Sequence, residues 1–246
     1  VPEWLHAPGV RVDIELSLLP GETRTFEHFS AVHVHLGTQD VTARVALLEG
    51  ESLAAGQRMF AQLVLNAPLQ AVHGDRLVLR DQRAQRTLGG GKVLDPFAPS
   101  RQRRSDERLR QLQVLRDTEE LEQALPALLA SAPGGIDPQR LERQFNRLRE
   151  TWQLPEEVLV VATRQGQLLF ATAKWHVLKQ QVMEQLARFH EQEPDQLGPD
   201  RDRLRRFAAL PLERPAFVSL LDELLEDGSI ASSGPWLHLP DHKVQL

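Results

Sequence analysis

Any chemistry in this chain would have to come from a few short groups of residues. The stretch "RTLGGGKVLDP", Arg86 to Pro96, sets three glycines before a lysine, the composition of a loop that wraps a nucleotide phosphate. Such a loop follows G-x-x-x-x-G-K-[ST], with the Ser or Thr holding magnesium. Here Arg86 stands at the first glycine position and Val93 follows Lys92, so the pattern fails at both ends. His33 and His35 alternate within an apolar run and would leave the same face of a strand. A metal would require a third ligand from His73 or a carboxylate, and nothing in the spacing forces one. A solvated or RNA-facing pair is expected there, and no metal site. In "WLHLPDH", His238 and His242 flank Asp241, but no serine elbow or H-E-x-x-H helix accompanies them, so a strand end packed on its own module is expected. "FHEQEPD" and "LLDELLED" read as solvent faces of helices. Catalytic carboxylate pairs need environments that separate their pKa values, and none is visible. No catalytic residue is assigned.

Composition narrows the classes further. With 246 residues, of which 41% are hydrophobic, the chain can bury ordinary cores in one large domain or roughly two to three small ones. It has no cysteine, which excludes disulfides and thiol chemistry and fits a reducing compartment. No run of about 18 apolar residues exists. The start "VPEWLHAPGV" lacks the basic and apolar segments of a signal peptide, so a cytoplasmic protein is expected; the absence of an initiating Met suggests a fragment. The net charge of −5 argues against indiscriminate coating of nucleic acid. Arginine is nonetheless clustered in "SRQRRSDERLRQLQVLR" and "PDRDRLRR", where Arg101, Arg103, Arg104, Arg201, Arg203, Arg205 and Arg206 are possible RNA contacts.

The elements that would position these residues change character near Phe97. "VRVDIELSLL", "SAVHVHLG", "VTARVALLEG", "MFAQLVLNAPL", "DRLVLRD" and "GGKVLDP" are short alternating runs between turn residues and predict six strands of a small barrel or sandwich. "DPFAPS" then ends the β region. Beyond it, Leu109, Leu112 and Leu115 mark one helix. Leu121, Leu125, Leu128 and Leu129 mark a second, with Thr118 as its N-cap. Asp137 and Pro138 open a third. "LPEEVLVVA" predicts a further short helix, and "TRQGQLLFATA" a hairpin turning at Gln165-Gly166. This is the order of a winged-helix module. It recurs as a helix from Lys174, a helix capped by Asp200, a helix bearing Phe217, Leu220, Leu221, Leu224 and Leu225, and a hairpin turning at Ser233-Gly234. A repeat of about 70 residues follows.

At this point the residues can be compared with a family. "HVHLGTQDVTARVALLEG", "AQLVLNAPLQAVHGDRLVLRD" and "RTLGGGKVLDP" resemble the third domain of elongation factors of the elongation factor Tu type, a six-stranded antiparallel barrel. "GPDRDRLRRFAALP" and "GPWLHLPDHK" resemble the C-terminal winged-helix extension of the bacterial selenocysteine-specific elongation factors. The resemblance implies a multidomain α+β fold, with a barrel at 1–97 and tandem winged-helix modules at 98–173 and 174–246. It implies that Gly89, Gly90 and Gly91 relieve crowding where the barrel closes.

It further implies that GTP and magnesium belong to an absent N-terminal domain, so this piece would hold no cofactor and would not be an enzyme by itself. Partners would be selenocysteinyl-tRNA, the ribosome and, through absent modules, the messenger recoding hairpin; no membrane is implied, and the family works as a monomer. Aligning "DVTARV" and "VLRDQR" puts His33, Thr42, Asp81 and Gln82 at tRNA-contacting positions. Ala67 stands before Pro68 where the pattern is basic, and Arg80, Arg83 and Arg86 could supply that charge. The alternative is a winged-helix DNA-binding regulator with an accessory β-domain. Acidic or apolar candidate recognition helices, "LPEEVLVVA" and "LERPAFVSLLDELLED", argue against it.

Overall fold

In the computed structural model, which describes residues 3–244, the six alternating runs close into one antiparallel barrel. The strands are β1 (Gly9–Leu18), β2 (Phe26–Glu27), β3 (Ser30–Leu36), β4 (Gln39–Leu47), β5 (Ser52–Leu53), β6 (Arg58–Leu69), β7 (Arg76–Arg80) and β8 (Thr87–Asp95). Around the barrel the order is β1-β6-β4-β3-β7-β8, while β2 and β5 pair separately. Alternation places Ile14, Leu16, Val34, Val45, Leu63 and Leu79 in a core that water does not reach. The glycines of β8 lie where neighbouring strands press closest. A Cβ on Gly89 would collide with the Ser17 carbonyl, and one on Gly91 would sit 2.8 Å from Ile14 Cδ1. Gly89→Ala is therefore expected to destabilise the barrel by about 2–3 kcal/mol, read from its urea midpoint; an unchanged midpoint would refute the close-approach account.

One outer face of the barrel is covered by helices. The chain continues as α1 (Asp106–Asp117), α2 (Leu121–Ala130) and α3 (Pro138–Phe145). Ser105 caps α1 by accepting from Arg108 N, and Leu112 and Leu115 are buried. Thr118 does not cap α2 as expected; it closes α1, its hydroxyl donating to the Val114 carbonyl at 2.6 Å. Threonine can return a hydrogen bond to a preceding carbonyl as well as cap the following turn, and here the former wins.

Beneath α1, Gln62, Asp13 and Asp95 stand side by side on β6, β1 and β8. Arg108 donates to Asp13 Oδ2 at 2.6 Å and Asp95 Oδ2 at 2.8 Å, and Gln62 donates to Asp13 Oδ1 at 2.9 Å. From α3, Arg140 donates to Asp95 Oδ2 at 3.0 Å. Burial pushes the Asp13 carboxyl above its ordinary range despite Arg108. At Asp95 burial pushes the same way, but the Arg108 and Arg140 charges prevail and hold it below that range. Of the two carboxyls, Asp95 is the one that keeps its charge most firmly.

The later elements are β9 (Val158–Thr163), β10 (Gly166–Ala171), α4 (Thr172–Gln192), α5 (Arg201–Ala208), α6 (Arg214–Glu226), β11 (Ala231–Ser233) and β12 (Trp236–His238). The helix expected in "LPEEVLVVA" is the strand β9: a Val-Leu-Val-Val run pairs with β10, and β-branched residues favour that partnership over a short uncapped helix. The hairpins turn at Arg164–Gln165 and Gly234–Pro235, since their closing pairs are Thr163–Gly166 and Ser233–Trp236. The repeat is thus in register by strand pairing rather than by its glycines. Asp200 caps α5 as expected, accepting from Arg203 N at 2.7 Å. Among the described residues no helix is long and apolar enough to cross a membrane.

Two compact units result, 1–131 with 139–153 and 132–138 with 154–246. Helices α1 and α2 belong to the barrel unit, while Val161 and Phe170 of the β9–β10 hairpin share a core with Trp175, Leu186, Phe217 and Leu221. In this second unit His190 stacks on His242 with ring centroids 3.6 Å apart, and its Nε2 accepts from Leu239 N. Burial, followed by the neighbouring His242 and His238, lowers its pKa from 6.5 to about 4. The unfolded chain then takes the proton first, so this contribution to stability is complete above pH 6.5 and is lost as pH falls toward about 4. His190→Gln should flatten that acid limb in urea titrations of the second unit; an unchanged limb would assign it to other groups.

Candidate nucleic-acid interface

Helices cover β6, β1 and β8, and the outer face of β4, β3 and β7 carries the candidate site. Because β3 lies between β4 and β7, its outward residues meet both neighbours. Thr42 and Arg80 both stand opposite His33, making a lateral row across three strands. Asn66 on β6 extends it by donating to Thr42 Oγ1 at 2.6 Å. The β3–β4 turn has Gly37 at φ 58°, a conformation glycine adopts without penalty, and it brings Asp40 opposite His35. His33 Nδ1 lies 3.0 Å from Asp40 Oδ1. The hydrogen bond from His33 holds the Asp40 carboxyl below its usual range, with the Arg80 charge acting the same way.

The loop after β7 is organised by Asp81. Its carboxylate accepts from Gln85 N at 2.7 Å and Arg86 N at 3.1 Å, and those backbone donors, Arg86 first, hold its pKa down. Asp81 thus shapes the loop, while Gln82 and Arg83 stand exposed on it. Arg86 reaches back to Glu22 at 3.3 Å. Among the described residues the Arg83 side chain has no ion-pair or hydrogen-bond partner.

The other arginines divide by what already holds them. Arg104 donates to the Leu47 carbonyl at 2.8 Å and pairs with Glu51 at 2.7 Å, which straps the segment after the barrel onto the end of β4. Arg103 lies over the Phe29 ring at 5.3 Å, whereas Arg101 is exposed. In the second unit Arg201 pairs with Asp222 at 2.9 Å, and Arg203 lies 4.8 Å over the Phe189 ring. Arg205 and Arg206 line a groove of about 590 Å³ with Arg214 and the Gly234–Pro235 turn.

Two further placements bear on the DNA-binding alternative. With "LPEEVLVVA" a strand, the preceding helix is α3, whose Arg140 and Arg143 are occupied by Asp95 and the Trp4 carbonyl. His73 is likewise committed, its ring nitrogens each 3.0 Å from the Leu94 and Thr118 carbonyls. The sequence reading missed Asn66 and Asp40; the Gly37 turn was the available signal for Asp40.

Comparison with known proteins follows the same division of the chain. A family model described as "Selenocysteine-specific elongation factor, beta-barrel domain" matches residues 11–100, and one described as "Elongation factor SelB, winged helix" matches residues 183–239. A selenocysteine-specific elongation factor of Escherichia coli is 36% identical over 98% of this chain and 38% of its own length. That of Haemophilus influenzae is 30% identical over 87% of this chain and 34% of its own. The chain thus spans well under half the length of these curated relatives. A crystal structure of bacterial selenocysteine-specific elongation factor EF-Sec superposes with a TM-score of 0.64 at 16% identity, covering 97% of this chain and 35% of that one, a likeness of fold.

Proposed function

The chain belongs to the selenocysteine-specific elongation factor family, and from that premise we propose that it is the part of such a factor that holds and spaces RNA. The barrel meets the backbone of selenocysteinyl-tRNA through the Thr42–His33–Arg80 row and the 81–86 loop. The winged-helix unit sets the distance to modules that grip the messenger recoding hairpin on the ribosome. The chain beyond the barrel is read as two winged-helix modules, 98–173 and 174–246. The piece works as a monomer in the cytoplasm, and nucleotide hydrolysis is assigned to a GTP- and magnesium-binding domain outside it; the failed P-loop pattern at Arg86–Val93 accords with that.

The observation that carries this reading is the lateral row itself. It joins hydroxyl, imidazole and guanidinium groups on three strands beside a loop bearing Arg83, which has no partner among the described residues, a set of donors suited to phosphate and ribose oxygens. The test titrates the chain with selenocysteine tRNA, an ordinary elongator tRNA and the recoding hairpin at two salt concentrations. Salt-sensitive binding of tRNA with little of the hairpin is expected. Hairpin binding tighter than tRNA binding, or no binding of tRNA, would overturn the assignment.

A further inference from the structure

We propose that His33, His35 and Asp40 form a binding site for one divalent transition-metal ion of the zinc class. The two histidines leave β3 on one face, their rings 6.3 Å apart and inclined by only 21°. The register of the β3–β4 hairpin sets Asp40 opposite His35, so the third ligand comes from a position fixed by backbone pairing. The ligand atoms of all three lie within 4.8 Å of one another. Asp40 Oδ1 is 3.0 Å from His33 Nδ1 and 3.8 Å from His35 Nε2.

A second observation points to a ligand. His35 Nε2 is buried and has no hydrogen-bond partner, a costly state for an imidazole nitrogen that a metal bond would relieve. An ion would replace the proton that His33 now shares with Asp40 and would give His35 the partner it lacks. Two imidazoles and a carboxylate favour zinc, cobalt or nickel over magnesium or calcium, which prefer oxygen ligands. Three protein ligands leave coordination positions open, and the half-exposed Asp40 keeps the site accessible to solvent.

Arg80 stands against the site. It faces His33 across the sheet, and its charge reaches Asp40, so it opposes a dication. Metal binding does not depend on the RNA reading, although an ion on His33 would compete with RNA for that side chain.

The test titrates the whole chain with Co²⁺, followed by visible absorption, and with Zn²⁺, followed by calorimetry. One ion per chain is expected, His35→Ala weakening binding at least about tenfold, as loss of a ligand should. Arg80→Gln is expected to tighten it, and excess Mg²⁺ to leave it unchanged. Asp40→Asn provides a second ligand deletion that spares the strand packing if His35→Ala fails to fold. Absence of saturable binding overturns the proposal, as does binding unaffected by either ligand deletion or abolished only by His242→Ala in the second unit.

Discussion

Arg108→Ala is expected to cost the barrel unit about 3–5 kcal/mol, enough to unfold a domain of ordinary stability. The guanidinium is the shared partner of Asp13 and Asp95, which are 0% and 2% exposed. Removing it leaves two carboxyls facing one another in a space that water does not enter. Their repulsion and desolvation must then be met by taking up protons or by unfolding. Asp95→Asn should cost more than Asp13→Asn, because Asp95 also holds Arg140 and is the carboxyl kept ionised. Replacing Arg108, Asp13 and Asp95 together by apolar residues should recover much of the loss, since no unpaired charge remains. Urea denaturation monitored by circular dichroism, with hydrogen exchange to locate the change, measures each variant. A loss below about 1 kcal/mol for Arg108→Ala would mean that water reaches the cluster and that the network is peripheral to stability.

Arg83→Ala is expected to weaken binding of selenocysteine tRNA about tenfold and to reduce the slope of log affinity against log salt by about one. The reason is availability. Arg83 is exposed and without a partner among the described residues, so its full charge and its fork of donors can meet a phosphate. Arg86→Ala should have a smaller effect, because Glu22 already offsets that charge at 3.3 Å. Arg104→Ala should instead lower stability and leave the salt slope alone, since its donors are spent on the Leu47 carbonyl and Glu51. Fluorescence titration of labelled tRNA over a salt series separates these outcomes. Equal slopes for wild type and Arg83→Ala would remove the 81–86 loop from the interface.

Much of the barrel was legible because its strands obey a period of two. Val32, Val34 and Leu36 point inward while His33 and His35 point out, and the same alternation runs through β1, β4 and β6. The role of the glycine run came from the family resemblance, since the failed phosphate pattern says only what Gly89, Gly90 and Gly91 do not do; the close approach to Ser17 and Ile14 is visible only in three dimensions. The charged cluster was not. Asp13 looks like any outward residue of β1, and its partner Arg108 lies 95 positions away, beyond the reach of local pattern.

The misreading of "LPEEVLVVA" has a local cause: proline followed by two acids imitates the first turn of a helix, and only pairing with β10 reveals the valines as a strand. Of the candidate site, family resemblance supplied His33, Thr42 and the 81–86 loop. That Thr42, His33 and Arg80 stand in one row depends on β3 being inserted between β4 and β7, a fact of topology that linear spacing does not carry.

The closed barrel has one more consequence. A sheet that closes on itself offers no free rim of amide and carbonyl groups, so the region richest in β-structure is poorly equipped to recruit a second chain by strand addition. The β9–β10 hairpin is built otherwise. Among the described residues β9 is laddered to β10 alone, and it carries Val-Leu-Val-Val with Val160 41% exposed. Short, uncharged, β-branched segments with an open rim are the usual seeds of fibrillar assembly. In this chain the hazard of self-templating therefore lies in the smaller hairpin, with Glu156 and Glu157 before it and Arg164 after it as charged gatekeepers.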